Sequence, residues 1–366
     1  MNAMTSLSPD IQAIVNAAVA AALAQAGVTN QPAASKWKPV TVAELAGDYL
    51  EYAQGYYVKG GKPTGEHTTI GYAVRHLVRE FGDMQVSDFG AAQMRKLQAV
   101  FVGHGWARKT VNAQTRRVVR MLRWGVAEGR IDPAVLLSAQ SVPGLKQGRT
   151  AAAEYDRIQP VPESSIDAIR PHVSPVVMAM VDVQRLSGMR PGEVCKLRTC
   201  DIDQSREVWE YRPRDHKTAH HGRSRVILFG PRAQEVLSPW MKPDDQEAPI
   251  FSPRESERIR AEKRRQARVT PLPAAEQGRA LLGGKSDVGP RYSSAAYRKA
   301  VERACIRAGI APWHPNQLRH LAATNIRREF GIEVARAVLG HSCVQMTEIY
   351  AEMDMDKARE AMQKLG

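Results

Sequence analysis

His314-Pro-Asn316-Gln-Leu-Arg319-His320-Leu-Ala-Ala-Thr324 sets two imidazoles, two amides and a guanidinium within seven residues. Positions 316 and 319 share one face of a helix. Three other segments of the same half of the chain carry chemistry of a matching kind. Arg185-Leu-Ser-Gly-Met-Arg190-Pro-Gly-Glu193 offers a second guanidinium, with a carboxylate three residues on. His216-Lys217-Thr218 lies in the polar loop (215–222) between two strand-like runs, Trp209-Glu-Tyr-Arg and Ser224-Arg-Val-Ile-Leu-Phe229, which alternate as strands do. Leu339-Gly-His341-Ser is followed nine residues after His341 by Tyr350. These segments belong to one domain.

The chain around them has 366 residues, enough for two or three domains. Lys and Arg number 52 against 38 Asp and Glu, a net charge of +14. Such an excess points to a polyanionic partner, nucleic acid before membrane, although charge can also serve solubility alone. Cys195, Cys200, Cys305 and Cys343 are few, and the single C-x4-C pair has no second pair to complete a zinc site. Reduced structural thiols and a cytoplasmic location, at the nucleoid when bound to DNA, are the expectation. No apolar run reaches the roughly 20 residues that cross a bilayer. Residues 11–27 are Ala-rich without a basic leader, and read as an amphipathic helix.

Residues 1–36 are read as an N-terminal helix and linker, serving oligomerisation or else disordered. Residues 37–150 form a helical domain, all-α, with helices from Thr41-Val-Ala-Glu44 (a capping box), over 68–81, over 91–102 and over about 109–129. Residues 136–160, with Pro143, Gly144, Gly148 and Pro160, read as the interdomain linker. Residues 151–366 form the second domain. The fold class is thus mainly α with a small antiparallel β-sheet. Arg108, Lys109, Arg116, Arg117, Arg120 and Arg123 crowd the fourth helix with one acid of its own, Glu128. Arg116, Arg120 and Arg123 share a face, which suits a phosphate backbone better than a solvated surface. Residues 254–268 are densely charged but mixed in sign, and both a solvated insertion and DNA contact stay open.

The four segments, in this order and spacing, resemble the catalytic domain of the tyrosine recombinases, or phage-type integrases, over about 161–355. Gly289-Pro-Arg-Tyr-Ser further resembles a G-x-R-Y-S/T segment found within that family. The helical block resembles, more weakly, the core-binding domain with which those enzymes clamp DNA. The resemblance implies cleavage and rejoining of double-stranded DNA through a 3′-phosphotyrosine, without ATP, metal or other cofactor. It implies Tyr350 as nucleophile and Arg190 and Arg319 as binders of the non-bridging oxygens. It implies Lys217 as the acid that protonates the departing 5′ oxygen, with Arg223 and Arg225 on the same hairpin. His341 would hydrogen-bond the phosphate, Glu193 orient Arg190, and His320 brace the site. It also implies a homo-oligomer, a tetramer on two DNA sites, exchanging a C-terminal helix over 354–365. Arg108, Lys109, Arg116, Arg117, Arg120, Arg123 and Arg223 are the expected DNA contacts.

These residue types fit the chemistry. Transesterification builds charge on a pentavalent phosphorus, which fixed guanidinium forks stabilise. A phenol conserves the ester bond energy as a phosphotyrosine. His216, His220 and His221 have no carboxylate partner pattern and read as loop contacts to phosphate rather than a metal site. Asn316 departs from the family pattern, where histidine stands three before the arginine. An amide donates a hydrogen bond but takes up no proton. Either Asn316 only positions the phosphate, or His314, two residues earlier, serves as base. Two further readings stay open, a non-catalytic DNA-binding protein on the same fold and a relaxing topoisomerase of the related type IB kind.

Overall fold

The computed structural model describes residues 37–214, 225–269 and 288–340, together with 17, 18 and 21. The chain divides into two units, Met1–Asp156 and Arg157–Gly366.

In the first unit Thr41 opens α1 (Val42–Tyr56) with the expected capping box. Its hydroxyl accepts from Glu44 N at 3.2 Å, and Thr41 N donates to the Glu44 carboxylate at 2.8 Å. Then follow α2 (Gly65–Phe81), α3 (Ala91–Gly103), α4 (Arg108–Ala127) and α5 (Pro133–Gln140). Asp132 caps α5 and Pro133 takes its first position. The apolar stripes meet in a core of Leu45, Tyr49, Ile70, Leu77, Met94, Leu97, Phe101 and Val118. The expectation of an all-α unit needs one correction. Val58–Lys59 (β1) pairs antiparallel with Lys62–Pro63 (β2) around Gly60 and Gly61, whose φ values are +57° and +73°. The expected linker is also shortened at its start, because α5 runs to Gln140.

The second unit is built round α7 (Pro175–Ser187), capped by Ser174 and buried along nearly its whole length. It follows α6 (Glu163–Ile169) and leads into α8 (Pro191–Val194). A three-stranded antiparallel sheet comes next, in the order β3 (Ile202–Asp203), β4 (Trp209–Tyr211), β5 (Ile227–Phe229). Tyr211 stands opposite both Ile202 and Ile227. Then follow α9 (Pro231–Leu237), α10 (Pro253–Gln266), α11 (Ser294–Arg307) and α12 (Asn316–Phe330). α13 (Ile332–Leu339) then ends the described chain. Helices α9 and α12 pack on α7. The fold is mainly α with small antiparallel sheets, as expected.

The charged run 254–268 is largely helix α10. Its mixed signs pair at i, i+3 spacing, Arg258 with Glu255, Arg260 with Glu257 and Arg265 with Glu262. A hydroxyl chain roots the helix. Ser174 Oγ lies 2.8 Å from Ser256 Oγ, which lies 2.7 Å from Tyr292 Oη. Tyr292 belongs to the Gly289-Pro-Arg-Tyr-Ser segment, so the tyrosine of that segment is a buried anchor.

Candidate active site

Helix α7 ends at Gly188, whose φ of +66° is the left-handed conformation that favours glycine. Space demands glycine as well. A Cβ there would stand 2.8 Å from Leu339 Cδ2 and 3.4 Å from Ala322 Cβ. Two residues on, Arg190 caps α8, and Pro191 takes the first helical position. Glu193 grips Arg190 twice. Arg190 N donates to Glu193 Oε2 at 2.7 Å, and Nη1 donates to Oε1 at 3.0 Å. The carboxylate is buried while the Arg190 side chain stays a quarter exposed, so the fork is held from behind and open in front.

Arg319 enters from α12 and is only 1% exposed. Its Nη1 donates to Gly188 O at 2.7 Å and its Nη2 to Leu339 O at 2.8 Å. One guanidinium thus joins the turn that carries Arg190 to the end of α13, which leads into Gly340 and His341. A buried charge needs such partners, and two carbonyl dipoles supply them.

Asn316 begins α12 and is half buried. Buried Gln184 sets this helix start by donating to Pro315 O at 2.8 Å. Asn316 Nδ2 lies 3.2 Å from His320 Nε2, one turn on. With the amide as donor, Nε2 is the unprotonated nitrogen of a neutral ring. Burial first, then His314 and Arg319, push the His320 imidazole down to about 4. His314 is half buried, and its backbone N–H donates to Gln317 Oε1 at 3.0 Å.

The sheet brings in one more arginine. Arg225 is buried at 6% exposure. Its Nη1 donates to Val338 O at 3.0 Å, and its Nε lies 3.7 Å from Glu193 Oε1. Nearer β4, Arg214 and Arg198 share Asp201 and Glu247.

The profile of the phage integrase family matches residues 165–357, more than half of the chain. The chain belongs to the phage integrase family. Tyrosine recombinase XerC of Corynebacterium glutamicum is 23% identical over 286 residues, 76% of this chain and 79% of that protein. The fold of this integrase-family chain is shared with the Tn1549 transposon integrase solved with a circular intermediate DNA. The TM-score there is 0.57 at 15% identity, over 88% of this chain and 99% of the other. It is shared too with a lambda integrase tetramer bound to a Holliday junction, with a TM-score of 0.57 at 15% identity over 93% and 86%.

Of the residues singled out in this integrase sequence, Arg190, Glu193, Asn316, Arg319 and His320 come together around the ends of α7, α12 and α13, with His314 at the start of α12. Lys217, Arg223, His341, Tyr350 and the C-terminal segment 354–365 lie outside the described residues, as does nearly all of 1–36. Among the described tyrosines of the second unit, Tyr211, Tyr292 and Tyr297 are buried. Burial raises the phenol of each above its ordinary value. None of the three suits attack on phosphate.

The sequence reading placed Arg225 on the hairpin without giving it a role, and it missed Gln184. An arginine two before Ile227, on the alternation that puts Ile227 and Phe229 inward, was the available signal. The basic helix α4 also needs correction, because acids distant in sequence reach it. Glu66 of α2 accepts from Arg117 at 3.0 Å and from Arg120 at 2.6 Å, and Glu154 pairs with Arg108. Lys109, Arg116 and Arg123 remain exposed, without an ion pair among the described residues.

Proposed function

We propose that this chain is a site-specific DNA recombinase acting through a covalent 3′-phosphotyrosine. The Tyr350 phenol gives its proton to water as its oxygen attacks the scissile phosphorus, and the bond to the 5′ oxygen breaks. Lys217 gives that oxygen its proton. Arg190 and Arg319 bind the non-bridging oxygens, helped by hydrogen bonds from His341 and Asn316. A 5′ hydroxyl of the partner strand then attacks the phosphotyrosine and returns the phenol. No net bond energy is lost, so the scheme needs no nucleotide hydrolysis.

The observation that carries this reading is the double donation by Arg319 to Gly188 O and Leu339 O. It holds the Arg190 turn, the α12 arginine and the approach to His341 as one group, within the part of the chain that matches the integrase family. Residues 37–150 serve as the core-binding domain and 151–366 as the catalytic domain. Lys109, Arg116 and Arg123 contact phosphates, and Arg223 does so beside the active site. Four protomers act on two DNA sites, exchanging the segment after Tyr350, in the cytoplasm at the nucleoid. A related integrase solved as a tetramer on a Holliday junction supports that assembly.

A nicked suicide duplex tests the reading. The chain should form a covalent protein–DNA complex that Tyr350→Phe does not form. Failure to form the complex on duplexes carrying its own recombination site would leave a DNA-binding protein on this fold.

A further inference from the structure

We infer that Arg225 is a positioning residue for strand cleavage, which fixes the Glu193 carboxylate that grips Arg190 and ties it to the end of α13. The inference rests on the recombinase reading above.

Three observations meet at this side chain. Arg225 stands two residues before β5, in step with its buried Ile227 and Phe229, and is 6% exposed. Its Nε and Nη2 have no hydrogen-bond partner among the described residues. A guanidinium in such a place is costly, and a packed hydrophobe of similar volume anchors a strand at lower cost. The charge therefore has a task beyond filling space.

The second observation is the shared carboxylate. Glu193 Oε1 accepts from Arg190 Nη1 at 3.0 Å and lies 3.7 Å from Arg225 Nε. Two cations repel, and one carboxylate between them fixes where each can stand. Arg190 is the partner with an open face, so Arg225 sets the position from which Arg190 reaches outward.

The third observation is the contact with α13. Arg225 Nη1 donates to Val338 O at 3.0 Å. Gly340, with φ +64°, lies so close that an added Cβ would stand 2.6 Å from the same nitrogen. Glycine at 340 lets the guanidinium pass beneath the turn. Arg225 thereby links the sheet, the Arg190 turn and the last residues of α13, a set that Arg319 spans from the other side.

The test uses the full chain and a nicked suicide duplex in single turnover. Wild type, Arg225→Lys, Glu193→Gln and the double variant are compared for covalent complex formation, DNA affinity and thermal melting. Lysine keeps the charge but lacks the fork that reaches Val338 O and Glu193 together. Arg225→Lys should bind DNA as wild type does yet cleave at least about tenfold more slowly, since a misplacement of about 1 Å can cost about 100-fold. The double variant should lose little more than the worse single one.

A second substrate separates positioning from bulk structure. A methylphosphonate at the scissile position removes one charged oxygen and with it part of the demand for a well-placed Arg190. The ratio of wild-type to Arg225→Lys rate should shrink on that substrate. Cleavage by Arg225→Lys at the wild-type rate, or a ratio equal on both substrates, overturns the inference. Should Arg225→Lys not fold, Glu193→Gln reads the same link with Arg225 in place, and an unimpaired rate there also overturns it. A wild-type chain that forms no covalent complex overturns the recombinase reading instead, which keeps the two failures distinct.

Discussion

Arg319 donates to the carbonyl oxygen of Gly188 across 2.7 Å, joining residues 131 positions apart. The same guanidinium reaches Leu339 O at 2.8 Å, so the ends of α7 and α13 are held by one buried cation. A phosphate-binding site made from separate turns needs such a link, because each turn alone is free to shift by more than catalysis tolerates.

Arg319→Lys breaks the link without removing the charge. A lysine cannot serve both carbonyls with fork geometry. The second unit is expected to lose about 2–4 kcal/mol, since each hydrogen bond to a charged group is worth about 1.5–3 kcal/mol. Urea unfolding followed by circular dichroism checks this. A change below about 1 kcal/mol would show the two contacts to be incidental.

Gly188→Ala strains the same place through the backbone. The alanine must hold φ +66° and push its Cβ against Leu339 Cδ2 at 2.8 Å. Left-handed strain and overpacking together are expected to cost about 2–4 kcal/mol. Gly148→Ala is the control, with φ +71° and nothing within 4 Å, and is expected to cost only about 1–2 kcal/mol. Equal losses in denaturant melts of the two variants would remove packing from the account of Gly188.

The His320 ring makes stability depend on pH. Its folded value is about 4 against an ordinary 6.5, with burial the main cause. An unfolded chain therefore takes up a proton as pH falls through about 6.5, while the folded chain does not until about 4. The contribution is present in full above the unfolded value and is lost as pH falls across that window, by up to about 1.4 kcal/mol per pH unit. His320→Gln should flatten the dependence between pH 6.5 and 4.5 in urea titrations. Parallel curves for variant and wild type would count against a neutral buried ring.

Much of this was legible in the sequence, and the gaps have physical causes. Helices α1 and α7 carry side-chain caps, and α1 and α2 a 3.6-residue apolar period, both local signals. The Arg190–Glu193 grip is local too, a capping geometry within four residues. β1, β2 and β3 are two residues long each, too short to show alternation. Arg225 was given no role on the hairpin because alternation tells which face a residue takes, not how deep that face lies. The partners of α4 were invisible for another reason. Glu66 stands 51 positions from Arg117, and Glu154 stands 46 from Arg108, so only the fold brings them together.

Asn316 and His314 divide the question of what replaces the expected histidine. Asn316 touches His320 at 3.2 Å and begins the helix that carries Arg319. His314 sits before Pro315, off that face. His314→Ala is expected to keep most covalent complex formation on a suicide duplex, and Asn316→Ala to lose about tenfold or more, as for a lost phosphate donor. If His314→Ala abolishes the complex while Asn316→Ala does not, the assignment of Asn316 is wrong.

The basic helix separates into charges that are spent and charges that are open. Arg117 and Arg120 already meet Glu66, at 3.0 and 2.6 Å. Arg116 and Arg123 are exposed and have no ion pair among the described residues. A phosphate contact releases counterions, so its loss lowers the slope of log affinity against log salt by about one. Arg116→Ala and Arg123→Ala are each expected to show that drop in fluorescence anisotropy titrations across a salt series. Arg117→Ala should leave the slope nearly unchanged, because Glu66 balances its charge. Glu66→Gln, which frees both guanidiniums, should steepen it. A slope equally lowered by Arg117→Ala and Arg116→Ala would mean that DNA breaks the Glu66 pairs on binding, and that the folded partners of α4 do not choose its contacts.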